Sequence, residues 1–260
     1  MDSGYIAHVR KKDGVSQSVQ THLTETAAIA KSLAGKLGLE LVGELLGLMH
    51  DFGKYSQKFQ DYIKAVTGIN PDIDVDDVLP NGKKIDHSTA GAQWVYRELR
   101  KFGAAQGIGE LFGQMLGLCI ASHHGEGLID CLDGEGNAVW KKRFEKDDEL
   151  THLAECEQNA DKAVQQKAHE LAGENLIRSL LKAVKPILSD SRINEKTKEF
   201  YLGCLTRFLF SCLIDADRIN SSDFEREAQK EVRRLTEKPD WQPAIDKLEA
   251  KLAGFENRYP

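Results

Sequence analysis

Leu48-Met49-His50-Asp51-Phe52-Gly53-Lys54 sets an imidazole beside a carboxylate, with an ammonium three and four residues further on. As packing, that stretch makes poor sense. As two metal ligands and a cation that meets an anionic substrate, it makes good sense. On a helix Lys54 shares a face with His50 (i, i+4) and Asp51 (i, i+3). Apolar residues repeat around the motif at Leu41, Leu45, Leu48, Phe52, Phe59, Tyr62 and Ile63. The spacing predicts helix over residues 39–66, and Gly53 interrupts it with a kink or a close backbone approach.

Working outward, the same periodicity predicts helix over residues 18–37, with Gly38 as its stop, and over 88–102 and 108–122. The last of these ends at His123-His124-Gly125. Residues 149–188 read as amphipathic helix broken near Pro186. Residues 196–217 read as the most hydrophobic helix, running through the core. Charged segments at 224–237 and 241–255 follow, and 70–84 and 125–138 read as loops. No strand alternation and no internal repeat stand out. The expected fold class is all-α, one domain with a peripheral C-terminal tail.

Composition narrows the setting. A formal net charge of −6 argues against adhesion to nucleic acid or anionic membrane through bulk electrostatics. It does not exclude a nucleic-acid enzyme with local positive charge, because bound metal ions count toward the field. The five cysteines are odd in number and form no CxxC pair. Cys119, Cys204 and Cys212 fall in apolar helical stretches and read as small hydrophobes, which suits a reducing compartment. The first residues hold no signal-type apolar run, and the apolar segment 200–214 is too short to span a bilayer and carries Arg207. A soluble cytoplasmic protein is expected.

Metal-competent side chains recur at five places: His22, His50-Asp51, His87, His123-His124 and Asp215-Ala216-Asp217-Arg218. Each has an ordinary reading. A lone His22 is most often a surface or satisfied histidine, His123-His124 can cap a helix C-terminus, and His87 after Asp86 can sit at a helix N-terminus. Two aspartates at the C-terminal end of a hydrophobic helix are harder to dismiss, because they oppose its dipole and ask for a cation. Taken together, these imidazoles and carboxylates can satisfy two divalent ions such as Mn, Fe, Co or Ni, with Mg a further option. A carboxylate beside a histidine is well placed to bridge such a pair, which clamps the attacking and leaving oxygens of a phosphoryl displacement.

The order H…HD…H…HH…D, with HDxxK at the second position, resembles the HD phosphohydrolase superfamily. Asp51-Phe52-Gly53-Lys54, Asp86-His87-Ser88-Thr89-Ala90-Gly91-Ala92, Ser122-His123-His124-Gly125 and Leu213-Ile214-Asp215-Ala216-Asp217-Arg218 resemble one branch of it. That branch is the HD nuclease domain of the type I CRISPR helicase-nuclease, and the likeness spans about residues 1–225. It implies an HD-domain helical bundle with a dinuclear metal site in its core. By the same resemblance, one ion is held by His22, His50, Asp51 and Asp217, and a second by His87, His123 and His124 with Asp51 shared. Asp217 is preferred to Asp215 because the family aspartate stands just before a basic or aromatic residue. Lys54 matches a lysine that acts beside the metals, and Asp215 and Ser221 are further candidates to line the site.

The activity implied is metal-dependent hydrolysis of single-stranded DNA in CRISPR interference, with a surveillance complex and a helicase domain or subunit as partners. Residues 226–260 then read as a charged helical extension, the start of a linker to a helicase. Candidate backbone contacts are Lys141, Lys142 and Arg143, with Arg10-Lys11-Lys12 and Lys83-Lys84 as weaker clusters. Trp140 and Phe144 offer base stacking or ordinary packing. The alternative function is an HD-type phosphohydrolase acting on a dNTP or cyclic nucleotide in a closed pocket. A catalytically silent metal-binding scaffold is a third reading, and Lys54 argues against it.

Overall fold

The computed structural model describes residues 4–69, 85–103, 107–125, 127–129, 131–228, 230–231 and 240–256. The chain divides into two compact units, Met1–Glu225 and Arg226–Pro260. The first opens on an antiparallel hairpin of β1 (Ile6–Val9) and β2 (Ser16–Ser18) that the sequence pattern did not announce. Strands of four and three residues are too short for a period of two to register. The other regular elements among the described residues are helices, as the all-α expectation requires, apart from one isolated bridge between Leu132 and Ala138.

α1 (Val19–Ala34) follows β2 directly, and Ser18 caps it by accepting from the Thr21 N–H. A 3-10 turn, Gly35–Leu37, ends at Gly38, whose φ of 69° is the left-handed stop expected there. α2 (Glu40–Met49) then runs back antiparallel to α1. Their backbones nearly touch: a Cβ on Gly43 would lie 2.3 Å from Ala30 O, and one on Gly47 2.6 Å from Ala27 Cα. Small residues therefore set the interhelical distance. Antiparallel travel puts His22, near the start of α1, and His50, just past the end of α2, at the same end of the pair.

At the motif the predicted 39–66 helix breaks into α2, a 3-10 turn at Phe52–Tyr55, and α3 (Gln57–Val66), which Ser56 caps. The break is the close approach that Gly53 signalled. Its N–H donates to His87 O at 3.0 Å, and a Cβ there would lie 2.4 Å from that oxygen. α4 (Thr89–Leu99) and α5 (Ile108–Ser122) form a second antiparallel pair, with Gly109, Gly113 and Gly117 facing Phe102, Tyr96 and Ala92 in that order. The predicted loop at 70–84 lies outside the described residues.

Residues 139–188 are five helices: α6 (Val139–Phe144), α7 (Asp148–Thr151), α8 (Leu153–Asn159), α9 (Lys162–Leu171) and α10 (Glu174–Leu188). The expected break near Pro186 is instead the last turn of α10. The real interruptions are the left-handed His152 and the extended backbone at Ala160 and Gly173. α11 (Glu195–Glu225) packs on α1, α2 and α5. It buries one stripe, including Leu209, Leu213 and Ala216, while Phe200 and Tyr201 stay exposed. It is thus a surface-facing helix, not one sunk in the core. Cys119 and Cys212 are buried as expected, but Cys204 is exposed; all five thiols are free. Trp140 and Phe144 are buried too, which settles them as packing residues. No helix among the described residues is long and apolar enough to cross a membrane. In the second unit, α12 (Gln242–Glu256) carries Ile245, Leu248, Leu252 and Phe255 at helical spacing.

Candidate metal centre

Side chains from the start of α1, the ends of α2 and α5, the approach to α4 and the middle of α11 converge on Asp51. That carboxylate is 1% exposed. Its Oδ2 lies 3.1 Å from His22 Nε2, 3.4 Å from His50 Nε2 and 2.7 Å from Lys54 Nζ. Its Oδ1 lies 3.0 Å from His123 Nε2, 3.3 Å from His124 Nε2 and 3.6 Å from His87 Nε2. Asp217 Oδ1 completes the first group, 3.7 Å from His22 Nε2 and 3.6 Å from His50 Nε2. Each oxygen of the carboxylate therefore faces its own imidazoles, and the His50 and His123 rings, 5.0 Å apart, join the two groups.

The tautomers of these rings test whether the donors fit a cation. His22 Nδ1 donates to Asn220 Oδ1, His50 Nδ1 to Gly47 O, His87 Nδ1 to Ile85 O and His123 Nδ1 to Ile120 O, all at 2.7–2.8 Å. With the proton fixed on Nδ1, each Nε2 presents a lone pair toward Asp51. Facing Nε2 atoms stand 3.1 Å apart in His22–His50 and 2.6 Å apart in His87–His124. Such pairs need a proton or a metal cation between them. Ligands held about 2.1 Å from one ion stand no more than about 4.2 Å apart, and the separations here meet that limit. Helices α2 and α5 also aim their negative ends at the cluster. The residues fit divalent metal.

Electrostatics agree. Burial pushes His87 down to about 3 and lowers His22 and His123, keeping these imidazoles neutral and able to ligate. Burial also opposes charge on His50, but the Asp51 and Asp217 carboxylates beside it win and raise it to about 10. The Asp51 carboxyl, despite burial, is held well below its usual range by Lys54 and His50, and Asp217 by His50. Without metal, a proton on His50 and the Lys54 ammonium balance the two carboxylates. An ion entering must displace that proton, so affinity should weaken as pH falls, by up to about tenfold per unit for each proton released. Calorimetry of Mn²⁺ binding at pH 7 in buffers of different ionisation enthalpy should read at least one proton released per chain. Buffer-independent heats would contradict this.

Three features escaped the sequence. Asn220 orients His22, accepts from Gln17 Nε2 at 3.2 Å, and donates to Glu25 Oε2 at 2.7 Å. Its signal was spacing: Asn220 is i+3 from Asp217, as Glu25 is from His22. His8 on β1 accepts from Lys54 Nζ at 3.2 Å and stacks edge-on to His22, with ring centroids 4.5 Å apart. Lys54 itself is buried, and its three N–H groups face Asp51 Oδ2, Ala7 O and His8 Nε2. It meets Asp51 first, and a substrate only by exchanging one of these partners.

The structure also places the remaining candidates. Asp217 points into the cluster, and Ser221 donates to its Oδ1 at 3.3 Å. Asp215, two residues earlier and so about 200° round the helix, is exposed. Accordingly, Asp217→Asn should weaken metal binding by about 10- to 100-fold while Asp215→Asn leaves it unchanged within error; equal losses in a titration would overturn the distinction. Lys141 sits 5.9 Å from the Trp140 ring. Arg10 is tied to Asp13 and to Phe224 O. Lys83-Lys84 lie outside the described residues.

The family model described as "Cas3, HD domain" matches residues 1–223. A search of curated proteins gives no match. The helical bundle, the cluster of histidines and aspartates able to hold metal, and a family match over most of the chain agree with one another. The chain belongs to the Cas3 HD-domain family, the CRISPR-associated HD nuclease domains.

Proposed function

We propose that this domain hydrolyses phosphodiester bonds of single-stranded DNA during CRISPR interference, using two divalent ions. One observation carries the reading: the two oxygens of Asp51 face two different imidazole sets, His22 and His50 on one side and His87, His123 and His124 on the other. His22, His50, Asp51 and Asp217 would hold one ion, and His87, His123 and His124 the other, with Asp51 common to both. A bound pair of this kind lowers the pKa of a water to near neutrality and stabilises charge on the phosphoryl oxygens. The chain's own residues supply the rest. Backbone carbonyls and Asn220 fix the imidazole tautomers, and the surrounding core of Leu23, Leu46, Met49, Phe52 and Ile120 holds the ligands rigidly.

In this scheme Lys54 would stabilise developing negative charge by turning toward the substrate the N–H that Asp51 Oδ2 now accepts. Lys54→Ala should lower kcat by about 10²-fold with metal content retained; a matching loss of metal would make Lys54 structural instead. Side-chain exposure of 48% at His124 puts an open edge on the site. That openness favours a polymer over a small nucleotide, which needs enclosure for its base and sugar. Metal-stripped protein should be incubated with linear and circular single-stranded DNA, dNTPs and cyclic dinucleotides across a divalent-metal panel. Cleavage of both DNAs, without turnover of the nucleotides, is expected. Turnover of free nucleotides alone would replace this reading. In the same proposal the domain acts in the cytoplasm beside a surveillance complex, and residues 226–260 lead toward a helicase domain or subunit.

A further inference from the structure

The C-terminal turn of α5 and helix α6 flank a solvent-open cavity of about 430 Å³. Ser122, His124 and Gly125 line one part of it, and Lys142, Arg143 and Lys146 another. His124 belongs to both places, since its Nε2 also lies 3.3 Å from Asp51 Oδ1. The cavity is therefore a continuation of the metal centre.

Its charge is unbalanced. Asp86 pairs with Lys146 at 2.6 Å and stands 4.0 Å from Arg143 Nη1, and Asp133 is the carboxylate that Lys142 acts on, so two carboxylates answer three cations. Arg143 donates through Nη2 to Ala121 O at 3.1 Å, while its Nε is buried with no hydrogen-bond partner. The buried Nε faces protein, and the solvent-facing part of Arg143, whose side chain is 34% exposed, turns toward the cavity with Lys142 and Lys146. An anion in the cavity would meet these three cations, because guanidinium and ammonium groups bind phosphate oxygens through charge-assisted hydrogen bonds. The packing of α6 supports the arrangement: Trp140 and Phe144 anchor the helix in the core, which fixes where Lys142 and Arg143 stand.

We infer that this cavity seats a backbone phosphate of the single strand next to the phosphodiester held at Asp51, so that the strand crosses the centre over His124. Lys142, Arg143 and Lys146 recognise the phosphate, with no contact that reads a base. The inference rests on the nuclease reading, and its test does not need turnover.

Binding of a fluorescent 12-nucleotide oligo-dT to metal-free protein in chelator should be followed by anisotropy across a range of NaCl. Lys142→Ala/Lys146→Ala should bind about tenfold more weakly at about 0.1 M salt. Its slope of log K against log salt should be shallower by about 0.7–1.4, the counterion release lost with one or two phosphate contacts. Removing Lys146 strands Asp86, so the exposed Lys142→Ala alone serves as the variant that leaves the fold intact, with about threefold weakening expected. Affinities within twofold of the wild type, or a weaker affinity with an unchanged salt slope, would overturn the inference. Wild-type hydrolysis of bis(p-nitrophenyl) phosphate with Mn²⁺, a diester with no second phosphate, checks the nuclease reading separately.

Discussion

Asp51→Ala should lower metal-dependent cleavage of single-stranded DNA by at least about 10³-fold, because one charge-stabilising group alone is worth about 10²–10³ and Asp51 serves both ligand sets. Bound metal should fall from two equivalents per chain to below one. The helical circular dichroism should survive. Asp51 is buried against Lys54 and His50, and removing one partner of such a group costs about 3–5 kcal/mol, so the variant should also melt earlier. Lys54 keeps Ala7 O and His8 as acceptors, which limits the damage. Elemental analysis, a cleavage assay and a thermal melt read all three effects. Cleavage at the wild-type rate would refute the role of Asp51.

Gly53→Ala makes a subtler change with a comparable outcome. No left-handed φ is involved; the constraint is space. The new methyl would lie 2.4 Å from His87 O and 2.6 Å from His87 Cα, both backbone atoms that cannot rotate away. His87 must shift, and the His87–His123–His124 set loses its geometry while the His22–His50–Asp217 set is untouched. A displacement near 1 Å can lower turnover by about 10²-fold, so cleavage should drop by that factor and metal stoichiometry from two to one. Gly203→Ala supplies the control: its Cβ would meet nothing within 4 Å, and replacing this helical glycine should raise stability by about 0.5–1 kcal/mol. If Gly53→Ala keeps two ions and full activity, the close approach at His87 does not build the site.

Some of this was legible in the chain and some was not, for definite reasons. Helices α1 to α5 show through because their buried faces repeat every three to four residues, and Gly38 and Gly53 mark where the repeat must stop or bend. The candidate ligands show through because adjacent histidine and aspartate are poor core residues and poor surface residues at once. Short strands carry no such signal, so β1–β2 stayed hidden, and His8 with it. Asn220, Gln17 and Glu25 are ordinary polar residues one at a time; only the fold joins them into the network that orients His22. The interruptions at His152, Ala160 and Gly173 follow tertiary packing, where local preference is nearly even among break points. The resemblance favoured Asp217 over Asp215, and the physical reason is the phase of α11, which Leu209, Leu213, Ala216 and Asn220 set by being buried.

Two cations sharing one carboxylate is the claim on which the rest depends. Anomalous scattering from crystals loaded with Mn²⁺ measures it most directly. The expected map has two peaks, one between Asp51 and the His22–His50–Asp217 set, the other between Asp51 and the His87–His123–His124 set. A single peak, or none within reach of Asp51, would contradict it.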